Sequence, residues 1–387
     1  MKNSILNDVE PWNISTEERI AELLTAKRNG RKIAIILYPE EDKASSFRYR
    51  GYNIYQATKK STKWKAIYFF LNEIDTVFEL LSQANLLIFG RITRWSPQLD
   101  ELAVLARNNK VSILQDLDDC ICGTKYIKDM FNVVSPDFID QEYWITTCAH
   151  YELISYLADG FIVTNSYLGN LLSTSHGHKP YKVIKNFLNE EQIDLSEKIL
   201  KENKVATGFT IGYFSGSHTH LTDFEVAYQE LINVLTADPA IRLVIVGMLD
   251  LPASASKFIK TGQITFHPLV DFLTLEQMQA AVDLNIAPLA DNVFANCKSD
   301  LKFFEPALVK TPTIASPTFT FAQAIENGKT GYLCEPGEWQ DTIMMLRNDS
   351  RLRKEIGENA HRYVLKNYSP ENNIKEIEEC YDYYNQK

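Results

Sequence analysis

What most constrains this chain is a series of short, wholly apolar runs separated by longer amphipathic stretches. KIAIILY (32–38), WKAIYFF (64–70), ANLLIFG (84–90), KVSILQ (110–115) and GFIVTN (160–165) form the first series. Strands that are apolar throughout are buried on both faces, as in a parallel sheet covered by helices. Helical stretches from Glu73, over 98–108 and near 141–158 stand between them. This alternation predicts an open, doubly wound α/β sheet. GFTIGYF (208–214), IRLVIVG (241–247), QITFHPL (263–269), LNIAPL (284–289), PTIAS (312–316) and GYLCE (331–335) form a second series.

Two Rossmann-like domains are therefore expected, over 1–195 and 205–370, facing across a cleft. NEEQIDLSEKILKENKVATG (189–208), charged and without apolar periodicity, reads as the connection. A last helix, 371–387, is expected to complete the first domain. The 387 residues, 45% hydrophobic, suffice for two cores.

A net charge of −10 excludes a broad nucleic-acid-binding surface. MKNSILNDVEPWNIS carries no apolar core of signal-peptide length, and no apolar run is long enough to span a membrane. A cytoplasmic protein, at most peripheral at the inner membrane face, is the expectation. Cysteines at 120, 122, 148, 297, 334 and 380 lack metal-knuckle spacing and read as reduced thiols.

Ligands of doubly wound sheets bind outside the carboxyl ends of the strands, so charged residues just after strands are the candidates. ANCKSDLKFFEPALVKTPTIAS (295–316) is the first such group. Ser299 reads as a helix N-cap with Asp300 in the first turn, and positions 298, 302, 305 and 309 would share one helical face. Lys298 and Lys302 suit phosphate, and Glu305 suits a ribose diol. The competing reading is a Lys302–Glu305 surface pair worth about 0.2–0.5 kcal/mol.

IGYFSGSHTHLTDF (211–224) puts Gly216, Ser217 and His218 between a strand and a helix whose capping box is Thr222 to Glu225. It is not G-x-G-x-x-G, which speaks against a nicotinamide cofactor. The glycine would let the backbone approach a diphosphate, and His218 or His220 could meet the anion. LQDLDDCICG (114–123) places Asp116, Asp118 and Asp119 after a strand. These could hold Mg²⁺, accept sugar hydroxyls or cap a helix. Arg48 and Arg50, in the polar segment SSFRYRGYN (45–53), and His150 complete the candidates.

The stretch Glu305-Pro-Ala-Leu-Val-Lys-Thr-Pro-Thr-Ile-Ala-Ser316 and then Glu326-Asn-Gly-Lys-Thr-Gly-Tyr-Leu333 resembles the C-terminal domain of GT-B glycosyltransferases of family 4, the group 1 type. RNDSRLRKEIGENAHRYVLKNYS (347–369) resembles that family's final helix pair, and VTNSYLGNLL (163–172) and VIKNFLN (183–189) resemble parts of its first domain. The resemblance implies a retaining transfer from a nucleoside-diphosphate sugar to a glycan, lipid-linked or protein-linked acceptor, without a metal cofactor. It implies donor contacts at Gly216, Ser217, His218, Asn296, Lys298, Ser299, Lys302 and Glu305, with Glu305 on the ribose. Catalytic roles fall to Lys298, Asp118 and Asp116, and acceptor contacts to Arg48, Arg50, Asp119 and His150. The family carries two glutamates separated by seven residues; at the first position this chain has Cys297. LKFFE preceded by KS is similar to a subgroup with bacterial polysaccharide rhamnosyltransferases, which points to a 6-deoxy sugar donor. A GT-B epimerase, a catalytically silent GT-B adaptor of a partner transferase and a two-lobed solute-binding protein are the rival readings.

Overall fold

The computed structural model of the chain describes residues 10–39, 46–94, 96–128, 138–202, 208–216 and 221–386. The first sheet comprises β1 (Lys32–Tyr38), β2 (Trp64–Phe70), β3 (Leu86–Gly90), β4 (Ser112–Leu117), β5 (Gly160–Val163) and β6 (Tyr181–Val183). The second comprises β7 (Phe209–Ser215), β8 (Ile241–Gly247), β9 (Ile264–His267), β10 (Leu284–Ala287), β11 (Thr313–Ala315) and β12 (Tyr332–Leu333). The orders are β2-β1-β3-β4-β5-β6 and β12-β11-β10-β7-β8-β9, and every pairing is parallel. The strand order reverses at β1/β3 and at β7/β10, so the two switch points of a doubly wound fold supply the walls of the cleft.

β6 escapes sequence reading because it is three residues long and only half-buried. The segment 189–208 is more than a connection, since Glu190–Ile199 is a helix. Asn189 caps it by accepting from the Gln192 amide (2.9 Å). Its buried residues are Gln192 and Ser196, so apolar periodicity cannot register it.

The segment 46–53 corrects another expectation. Instead of a polar loop, Arg48–Tyr52 forms a wide helical turn that runs into the helix Asn53–Lys59. Phe47, Tyr49, Tyr52 and Tyr55 are buried there, and the Phe47 ring centroid lies 5.1 Å from that of Tyr68. Burial of such rings outweighs the polarity of the residues between them. The helix Leu221–Ala237 starts ahead of Thr222, so Thr222 is not its cap; Asp223 instead accepts from the Ala290 amide (3.0 Å) and ties the helix to the loop after β10.

The chain returns at its end to the first domain. In the helix Pro370–Asn385, the Tyr384 hydroxyl donates to the Phe161 carbonyl (2.9 Å), and Asp382 accepts from the Trp64 indole (3.0 Å).

Candidate functional site

The cleft encloses about 490 Å³. It lies within the size range of small-molecule sites. On the second domain its floor is the end of β7, where Ser215 and Gly216 emerge. A Cβ on Gly216 would meet nothing within 4 Å, so its backbone faces open space. Gly247, ending β8, is the glycine that packing demands: φ is +100°, and a Cβ would lie 1.7 Å from the Ser215 carbonyl oxygen. Ser217, His218 and His220 lie outside the described residues.

The segment 293–308 is two helices rather than one. Val293–Cys297 ends at Lys298, whose backbone is extended (φ −69°, ψ 155°), and the next helix is Leu301–Leu308 with Asp300 at its N-cap position. Ser299 is therefore not the cap, and Lys298 stands ahead of the helix that carries Lys302 and Glu305. Its position is fixed through its carbonyl, which accepts from Thr320 Oγ1 (2.6 Å) and Asn165 Nδ2 (3.2 Å). Asn165 belongs to the first domain, so this loop is held from across the cleft. Asn186 Nδ2 donates to Ser299 Oγ (3.1 Å) in the same way. Asn296 is spent on the loop itself, donating to Asp291 and accepting from the Phe319 amide (2.7 Å), and it does not line the cleft.

Lys302 is half-buried, its Nζ fully so, and among the described residues that Nζ has no hydrogen-bond partner. It lies 4.9 Å from the Tyr213 ring centroid. Burial lowers this amine to about 8, with the Asp223 charge opposing the shift and Lys298 adding to it. The Lys302–Glu305 pair is not formed, because Glu305 faces the first domain. Arg48 Nη2 reaches Glu305 Oε1 at 2.9 Å, Gln192 Nε2 reaches it at 3.4 Å, and the Tyr49 hydroxyl donates to the same oxygen.

The acidic cluster divides in two. Asp116 turns into the interior and takes Arg50 in a forked pair (Nε–Oδ1 2.7 Å, Nη2–Oδ2 2.9 Å). Arg50 Nη1 also donates to the Ile184 carbonyl (2.6 Å) and to Asn186 (3.2 Å), and neither Arg50 nor Asp116 lines the cleft. Placement at a strand end suggested ligand contacts for both; geometry makes each the other's partner. Asp118 and Asp119 do line the cleft, and Arg91 bridges them at 2.6 Å to each. Burial raises the Asp119 carboxyl, against the pull of the Lys298 and Arg91 charges. His150 sits on the helix Phe138–Ser155 away from the cleft lining; its carbonyl accepts from the Arg94 amide (3.3 Å).

Arg91, Tyr49, Asn165 and Gln192 have no counterpart in the sequence-based candidates. Arg91 was findable, since it directly follows β3 and sits where an arginine after a strand would meet the cleft. Nothing in spacing singles out Gln192.

Cleft and paired sheets define the architecture as GT-B. Residues 208–349 match the family model described as glycosyl transferases group 1. No curated protein matches the chain in sequence. Among solved structures, HepE from Anabaena in complex with UDP is 16% identical over 90% of this chain and 98% of that one, with a TM-score of 0.54. Sucrose-phosphate synthase from Thermosynechococcus elongatus is 14% identical over 91% of this chain and 99% of that one, with a TM-score of 0.60. A glycosyltransferase from Rickettsia africae is 14% identical over 92% and 98%, also with a TM-score of 0.60. At such identities the likeness speaks for the fold.

Proposed function

We propose that this protein transfers a sugar from a nucleoside-diphosphate sugar to a hydroxyl acceptor. The donor diphosphate lies between Gly216, Lys298 and Lys302, its ribose on Glu305, and the acceptor meets the first domain at Asp118 and Asp119. One observation carries this reading: the Lys302 Nζ is buried at the cleft without a hydrogen-bond partner among the described residues, beside a second lysine. Burying an ammonium is costly unless it is matched by an anion. The UDP bound to HepE and the group 1 match point to the same ligand class.

Transfer is retaining, with the leaving phosphate taking the acceptor proton and the lysines stabilising the departing charge. No metal takes part: Arg50 and Arg91 already match the carboxylates that would hold one. The donor sugar is a 6-deoxyhexose such as rhamnose, and the product a bacterial surface glycan made at the cytoplasmic face, by this enzyme alone or beside other glycosyltransferases. Among the described residues no helix is long and apolar enough to cross a membrane.

A silent adaptor is the second reading, favoured by Cys297, which packs its thiol on Cys120 where the family carries a sugar-binding glutamate. A thermal-shift screen of nucleoside diphosphates and their sugars tests the proposal. Saturation at about 100 times Kd adds roughly 2.7 kcal/mol of stability. No shift with any of them overturns it, and binding without turnover of any donor selects the adaptor.

A further inference from the structure

Glu276 is the least explained ionisable side chain near the cleft. It lies on the helix Phe272–Ala281, is 1% exposed, and neither carboxyl oxygen has a hydrogen-bond partner among the described residues. Buried polar groups in native proteins are paired almost without exception, so such an acid points to a partner held in another state. A candidate partner is adjacent. The Arg48 guanidinium lies 4.7 Å from the ring centroid of Phe272, one helical turn before Glu276 on the same face. Arg48 Nη1 is also buried without a partner among the described residues, while Nη2 is held by Glu305.

Glu305 Oε1 is crowded. Arg48, Tyr49 and Gln192 all donate to that one oxygen. A carboxylate oxygen offers about two lone-pair sites. A ribose diol taking both oxygens must displace one of these donors, and Arg48 has the longest side chain and an alternative acid within reach.

We infer that Glu276 is a positioning residue for nucleotide binding: it receives Arg48 when the ribose of the nucleotide takes Glu305. The inference rests on the nucleotide reading of the cleft. Before the exchange Glu276 is a neutral acid, since burial pushes its carboxyl up to about 9, with the Glu305 charge adding to the shift and Arg48 opposing it. Those are the charged groups acting on it, Glu305 from the helix Leu301–Leu308 and Arg48 from the turn Arg48–Tyr52; the helix Glu190–Ile199 presents the neutral Gln192 to Glu305. As Arg48 arrives, the Glu276 O–H bond breaks, its electron pair stays on oxygen, and the proton leaves to solvent. Nucleotide binding is thereby coupled to release of a proton.

Calorimetric titration with UDP at about pH 7.5, in buffers of different ionisation enthalpy, counts that proton. The count is compared between the native protein and Glu276→Gln, which is isosteric with the neutral acid. Proton uptake by Lys302 is common to both and cancels. Expected is about one proton more released by the native protein with UDP, and no difference with inorganic pyrophosphate, which has no ribose. Arg48→Met, which removes the arriving cation, should lack the same proton and covers a failure of Glu276→Gln to fold. Equal counts with UDP in native and variant proteins overturn the inference while leaving the nucleotide site intact. Failure of the native protein to bind UDP, with pyrophosphate still bound, overturns the nucleotide reading itself.

Discussion

The two domains bring charge to the cleft in opposite conditions. On the first domain, the charged residues are closed on one another: Arg50 of the turn Arg48–Tyr52 with Asp116 in β4, and Arg91, just past β3, with Asp118 and Asp119, just past β4. On the second, Lys302 follows no such rule, its buried Nζ having no hydrogen-bond partner among the described residues, and Lys298 contributes its charge across the gap to Asp119. The same sequence cue, a charged residue near a strand end, thus yields a structural pair in one domain and, on the proposed reading, an anion receptor in the other. What separates them is the partner. A fork of two hydrogen bonds completes an arginine, whereas the Lys302 amine, pushed to about 8 by burial, is on the proposed reading completed by an incoming anion.

The contrast is broken most forcefully at Asp116. Asp116→Ala leaves Arg50 as an uncompensated buried charge and should cost about 3–5 kcal/mol of stability in urea denaturation. Replacing both partners, as Arg50→Met with Asp116→Leu, should restore much of that loss. An Asp116→Ala protein of native stability that has lost transfer would instead place Asp116 in the chemistry.

Lys298→Ala should behave in the reverse way, keeping stability and losing kcat by about 10²-fold, the effect of removing one preorganised charge-stabilising group. Steady-state kinetics with the donor identified by thermal shift decides this.

Lys302→Met should act on donor KM, weakening nucleoside-diphosphate binding by about 1.5–3 kcal/mol. Its pH dependence has a definite sign. A lysine lowered to about 8 is charged below that value, so affinity for the diphosphate should hold below it and fall as pH rises through it. Because the native value is depressed below that of a free lysine, stability is lost as pH falls from about 10.4 to about 8, where the unfolded chain takes up the proton and the native one does not, and bound anion should restore it. Lys302→Arg should flatten the affinity profile. A profile unchanged in that variant would assign the titration elsewhere.

The smallest expected effect is that of a chelator. EDTA should leave transfer unchanged, since both arginines already answer the aspartates. Loss of activity restored by Mg²⁺ or Mn²⁺ would promote Asp118 and Asp119 to metal ligands.

Strand identity was largely legible because burial on both faces writes itself as an unbroken apolar run; β1, β2 and β8 occupy the very residues such runs mark. Elements whose buried face is polar or aromatic left no such trace. The helix with Gln192 inward and the turn built on Phe47, Tyr49 and Tyr52 are the examples. The candidate site was legible as a set of residue types near strand ends, and much less so as a set of partners.

By itself the sequence determined the α/β alternation, the division into two sheets and the gathering of Lys298, Lys302 and Glu305 beside the second sheet, because these follow from periodicity and local order along the chain. Only the tertiary structure decided that Arg48 meets Glu305, that Arg50 meets Asp116, and that Glu276 is buried without a hydrogen-bond partner among the described residues. The first two pairs join residues 257 and 66 positions apart. Contacts at such separations depend on how the chain folds back on itself, and no local pattern records them.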